Sequence, residues 1–231
     1  MTGGTGVDSL AQSSQDKTSL FAAGHEAARG IGMGVRQGRL FFAAALLLAL
    51  AGCAGGIGGG TPPDTYGLSP APAVTGDRAS NRQILISEPN ALKALDNERI
   101  VIRPSPSSIQ YLADSQWSDR LPKIVQDKLV QAFENSGRVG GVGRPGDGLA
   151  IDYNIITSIR AFEIKADTGE QAVVEISAKV LNDRNGVVAA TRVFRASSPV
   201  SGSGNVAYVR ALDRAFETVV SDLVTWTLSR I

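Results

Sequence analysis

Cys53 is the only cysteine in the sequence, and it closes the stretch Leu50-Ala51-Gly52-Cys53. A thiolate is a strong nucleophile, so chemistry at sulfur is confined to one position. The small residues Ala51 and Gly52 let an extended backbone enter a peptidase, which predicts cleavage between Gly52 and Cys53. Ahead of them runs an unbroken apolar segment from Leu40 to Ala51, preceded by Arg36 and Arg39. A basic flank, a short apolar run and small residues at the cut make a secretory signal. The run is about half of the roughly 20 apolar residues that a membrane-spanning helix needs.

With cysteine at the cut, the stretch resembles a bacterial lipoprotein signal. Lipidation would put a diacylglyceryl group on the Cys53 sulfur and an N-acyl chain such as palmitate on its freed amine; no other cofactor is expected. A core role for this thiol is disfavoured by the glycine-rich run Ala54–Gly60 that follows it. Translation is expected to start at Met33, which gives a compact basic region up to Arg39. Residues 1–32 then read as a gene-start artefact or a disordered extension, and 33–52 as the signal peptide.

Cutting before Cys53 changes what the rest can do. It leaves 179 residues carrying 19 basic and 19 acidic side chains, and it removes His25, the only histidine. No intramolecular disulfide can form, so the fold relies on its core. No net charge or basic run favours nucleic acid, and no polybasic segment favours anionic lipid headgroups.

The elements that must position any site follow from spacing. Residues 53–82 are Gly/Pro/Ser/Thr-rich and read as a lipidated N-terminus and tether. The 29 residues after Cys53 would span on the order of 30 Å as a coil and at most about 100 Å extended. Within them, Tyr66-Gly67-Leu68 reads either as an edge strand docked on the domain or as unstructured chain. The folded domain is expected over 83–231. Ile84–Ile86, Ile100–Ile102 and Ser107–Leu112 read as short strands, with Ala91–Leu95 as a turn or one helical turn. A helix is predicted after Ser118 or Asp119 as cap, with Pro122 in its first turn and Gly137 as its stop. Ile151–Ile164, Ala172–Val180 and Val187–Ala196 read as three further strands. Asn185-Gly186 supplies the last hairpin turn. A flexible loop over Ser197–Gly204 and a helix over Asn205–Ser229 close the chain; Trp226 fits core or interface equally. The fold class expected is α+β, an antiparallel sheet with two main helices packed on one face.

Catalytic constellations are scarce. Without histidine or a second thiol, the mature chain cannot assemble a Ser-His-Asp or Cys-His unit, and zinc lacks its usual ligands. No metal site is expected. Gly137–Gly143 superficially resembles a phosphate loop, but it follows a helix and lacks the Lys-Ser/Thr pair, so a bent strand is predicted. Asp114, Asp119, Asp147, Asp152 and Glu163 could in principle supply a hydrolytic carboxylate pair, yet no spacing recommends any two. Arg192 and Arg195 alternate with Val193 and Phe194, as on a polar sheet face. The chain is not expected to be an enzyme.

Arg99–Pro106, followed by Ile109–Pro122 with Tyr111 and Trp117, resembles the ABC-type transport auxiliary lipoprotein family. That family includes the paraquat-inducible lipoprotein of MCE transport systems. The order of a lipidated cysteine, Tyr66-Gly67-Leu68, a strand ending near proline and a Tyr…Trp segment leading into a helix carries the likeness. It extends over about Thr65 to Ile231. The resemblance implies a lipid-anchored periplasmic adaptor or assembly subunit whose partners are an MCE-domain protein, its permease and its ATPase. The anchor would tie it to a membrane, and a homo-oligomer is among the arrangements implied. Ala54, rather than Asp, after the lipidated cysteine suits the periplasmic face of the outer membrane over the inner membrane. Tyr111 and Trp117 are the candidate partner interface, packing at the helix start being the alternative. A periplasmic carrier with an internal acyl-chain cavity is the competing function.

Overall fold

Alternation along the longest strands builds the sheet. Ala172, Val174, Ile176, Ala178 and Val180 are all fully buried, whereas Lys179, on the opposite side, is exposed. One wet face and one dry face is what period-2 alternation produces. The computed structural model describes residues 62–70, 74, 80–167 and 169–231. Every described element falls in one unit, 59–231.

The elements run β1 (Asp64–Tyr66), β2 (Gln83–Ile86), β3 (Asn90–Ala91), β4 (Arg99–Ser105), β5 (Ser108–Trp117), α1 (Leu121–Ser136), β6 (Gly141–Gly143), β7 (Tyr153–Lys165), β8 (Gln171–Asn182), β9 (Val187–Pro199) and α2 (Asn205–Leu228). The class is α+β, and the sheet is a single mixed one of nine strands. β7, β8 and β9 form an antiparallel meander, as alternation leads one to expect. The other edge of β7 is shared in turn by β2, β3 and β4, each parallel to it. These short strands are successive pieces of one segment advancing along β7, interrupted near Pro89 and by the turn over residues 93–95. β6 adds to β2 in parallel, which accounts for the bent glycine-rich stretch. Departure from a wholly antiparallel sheet is confined to these pieces and β1.

β1 decides between the two readings of the Tyr66 segment. It pairs in parallel with β5, Asp64 opposite Ser115 and Tyr66 opposite Trp117. Leu68 just beyond is buried. The Ser69 N–H and hydroxyl both donate to the Asp213 carboxylate on α2, at 2.9 and 2.5 Å.

The helix limits follow their punctuation. Pro122 lies in the first turn of α1, and Gly137 stops it at φ +60°. The cap sits one residue later than expected: Arg120 occupies it without a side-chain hydrogen bond, and Asp119 Oδ1 accepts from the Arg120 N–H instead. β9 continues through Ser197 to Pro199, opposite Gln171, so the expected loop begins only at Val200. Both helices join the sheet in one buried cluster. Trp117 meets Phe162 edge-on at 5.7 Å, Phe162 meets Phe216 at 5.6 Å, and Trp226 packs on Phe194 at 5.4 Å. Trp226 is therefore core.

Candidate functional site

Gly52 and Cys53, the expected cleavage and lipidation residues, lie outside the described residues. The described surface offers three places where function could sit: the Tyr111–Trp117 strand, a charged cleft at the start of α1, and the sheet face turned away from the helices.

Tyr111 and Trp117 do not form one surface. Trp117 is 1% exposed and belongs to the core, so it is not available to a partner; the packing alternative describes it. Tyr111 lies half-buried on the other face, with the Arg99 guanidinium carbon 3.7 Å from its ring centroid. Part of its ring meets solvent.

The cleft holds about 450 Å³ between Gly67 and Leu68, Glu88 and the first turns of α1, with Arg144 at its border. Several of its charges are paired. Arg144 reaches Asp127 at 2.7 Å, Lys123 approaches Asp119 at 3.9 Å, and nearby Arg120 binds both Asp96 and Glu88. Gln126 fastens α1 to β2 by donating to the Ile86 carbonyl at 2.9 Å. Such a charged lining does not suit an acyl chain.

The carboxylates are used separately. Asp152 accepts from the Gln83 amide at 3.0 Å and from Arg184 and Arg82 at 2.6 and 3.3 Å. That amide first, then the two guanidiniums, holds its carboxyl below the ordinary value. Glu163 pairs with Arg103 at 2.9 Å, Asp147 accepts from the Arg144 amide, and Asp119 accepts from the Arg120 amide. Asp114 is exposed, at φ +51°. Among the described residues, no group of three His, Cys, Asp or Glu is placed to hold a metal ion.

A family model described as an ABC-type transport auxiliary lipoprotein component matches residues 66–224. The chain belongs to this family. Its match opens on Tyr66, the last residue of β1, and closes on Val224 in α2. An uncharacterized protein of Bradyrhizobium diazoefficiens is 31% identical over 182 residues, covering 78% of this chain and 49% of that protein. The chain thus spans about half the length of the curated relative it matches. A crystal structure of a Xanthomonas campestris protein, of the family DUF330, shares the fold with a TM-score of 0.66 at 28% identity. That likeness covers 72% of this chain and 96% of the other. Another solved protein, 14% identical, gives a TM-score of 0.59 over 72% of this chain and 99% of its own. The family is one of auxiliary components of ABC-type transport, not of enzymes, and its lipoprotein character places it with the cell envelope. No helix among the described residues is long and apolar enough to cross a membrane.

The Ser69–Asp213 lock and the ionic network around Arg120 escaped the sequence reading. Their partners lie 144 residues apart in the first case and 24 in the second. No local spacing signals such pairs.

Proposed function

We propose that this protein is the lipid-anchored periplasmic adaptor of an MCE-type ABC transport system that moves lipids or other hydrophobic compounds across the envelope. Cys53 carries the diacylglyceryl and N-acyl chains, and Ala54 after it directs the protein to the periplasmic face of the outer membrane. The MCE-domain protein, with its permease and ATPase, is the partner assembly, and Tyr111 is the contact residue on the adaptor. The family match over residues 66–224 carries this reading. A domain whose aromatic chain Trp117–Phe162–Phe216 is packed tight suits docking better than turnover.

The carrier alternative finds little support in the interior. The apolar notch beside Leu95, Val101 and Ile109 holds about 40 Å³, whereas small-molecule sites usually need roughly 300 Å³ or more. The larger cleft is charged.

The test is affinity isolation of the full-length protein from envelopes in mild detergent. Recovery of the MCE protein, permease and ATPase is expected, with recovery reduced at least tenfold by Tyr111→Ala in a normally folded protein. Isolation of the protein without any transport component, or with stoichiometric phospholipid instead, would overturn the adaptor reading. Lipidation is checked separately by the mass of the N-terminal peptide, which should carry acyl chains on Cys53 and lose them in Cys53→Ser.

A further inference from the structure

The sheet face turned away from the helices gathers charge that no stretch of sequence contains. Strand registers put Arg99, Arg103, Lys165, Lys179 and Arg195 on that face, and Arg160, in the β7 bulge, joins them through its 3.8 Å ion pair with Glu175. They come from four strands and span 97 positions. Two carboxylates, Glu163 and Glu175, share the surface, and both are recessed. The Glu163 side chain is 7% exposed and Glu175 20%, while Arg160 and Arg195 stand out at 53% and 56%. Solvent therefore meets the cations first. Helix α2 shows the reverse balance, with Asp213, Glu217 and Asp222 against Arg210 and Arg214.

Between the cations lie apolar side chains that water reaches: Leu92 and Ile109 beside the notch, and Val188 and Val193 on β9. Basic groups interleaved with aliphatic ones suit a phospholipid interface, where headgroups and the upper acyl chains are met together. The point at which the chain enters the domain favours that occupant over a soluble acidic protein. β1 lies against β5, the strand that contributes Ile109, and ten residues, 54–63, separate it from Cys53.

We propose that this face docks the domain onto an anionic phospholipid surface, so that the helices look away from the membrane. The proposal rests on acylation of Cys53 only for its placement; attraction of the face for anionic lipid is independent of it. Each Lys or Arg held near an anionic surface raises partitioning about fivefold, and screening weakens the effect as salt rises.

The test uses residues 54–231, which contain the whole folding unit without signal or acyl chains, and sedimentation with vesicles. Vesicles of phosphatidylglycerol and phosphatidylethanolamine should bind the domain at low salt, and phosphatidylcholine vesicles should not. Arg99→Gln, Arg160→Gln, Lys179→Gln and Arg195→Gln together should lower binding at least about a hundredfold; the melting temperature is followed alongside, because Arg160 and Arg195 both pair with Glu175, at 3.8 and 2.8 Å. Lys123→Gln with Lys128→Gln, on α1, should bind as the parent does. If the fourfold variant melts early, Arg160→Gln with Lys179→Gln must still cost at least tenfold. Equal binding to neutral vesicles, indifference to salt, or unchanged binding by these variants overturns the proposal. So does a photocrosslinker at Arg160 that captures an acidic protein, rather than lipid, in intact envelopes. Because the protein tested is unlipidated, failure here leaves the mass test of Cys53 to speak for the anchor.

Discussion

Val101 stands opposite Tyr111, yet Arg99, two residues back on β4, stands opposite Gln116, five residues forward on β5. The excess on β5 is odd, and Asp114 inside it has the positive φ typical of a bulge. An odd insertion exchanges the faces of a strand. Tyr111 therefore meets solvent while Trp117, on what regular alternation would make the same side, enters the core. Replacing Trp117 by Ala should cost about 3–5 kcal/mol of unfolding free energy. Tyr111→Ala should cost about 1 kcal/mol or less, since the Arg99 contact is exposed. Urea melts of the two variants check the contrast, and equal losses would contradict the face exchange. Asp152 supplies a second residue-level prediction. Its lowered folded-state value means that the folded chain holds this proton less tightly than the unfolded one. The stabilisation is then complete above the ordinary value of 3.8 and fades as pH falls through the lower folded-state value. The gap in urea midpoint between the parent and Asp152→Asn should be constant from pH 7 to about 5 and narrow below about 4. A gap that widens in acid would remove Arg82, Arg184 and the Gln83 amide as its cause.

At the scale of elements, β1 is three residues long, too short to persist as a strand on its pairing alone. Leu68 in the core and the two bonds from Ser69 to Asp213 hold it. Hydrogen bonds to a charged group contribute about 1.5–3 kcal/mol each, so Asp213→Ala, which removes both, should accelerate amide exchange over Thr65–Ser69 by at least about a hundredfold. β7 and β8 should keep their protection, and uniform acceleration throughout would mean that Asp213 supports α2 rather than β1. This lock also shows why parts of the fold were legible and others not. Pro122 and Gly137 punctuate α1 in ways a single chain displays, and the alternation of Ala172–Val180 names its dry face directly. Direction of pairing has no such signature. Period-2 alternation is the same in a parallel neighbour as in an antiparallel one, so β2, β3 and β4 could not announce their alignment with β7. The candidate site suffered equally. The odd insertion near Asp114 separated Tyr111 from Trp117, and the cationic face draws one or two residues from each of several strands. A linear search for basic runs passes over it.

For the molecule as a whole, docking of β1 redraws the reach of the domain. Counted to Gln83, the segment after Cys53 allows an excursion of up to about 100 Å. Counted to Asp64 it is ten residues, no more than about 40 Å at full extension. With Cys53 acylated as proposed, the domain stays beside its membrane, and a partner must approach it there. Short connection and cationic face then reinforce each other, because tethering raises the concentration of the face at the lipid surface. Effective concentration falls roughly as the −3/2 power of connecting length. Inserting 20 flexible Gly/Ser residues ahead of Asp64 makes the connection about three times longer and should lower engagement of the face about fivefold. The measurement is made on lipidated protein in phosphatidylglycerol vesicles, at a salt concentration where an environment-sensitive dye at Thr191, exposed on β9 opposite Lys179, reports half-engagement. The melting temperature should not change, since the insertion precedes every described element. Unchanged dye emission after insertion would mean that the face meets the surface without help from the tether. A shift that persists in the fourfold Gln variant would mean that the dye, rather than the cations, senses the lipid.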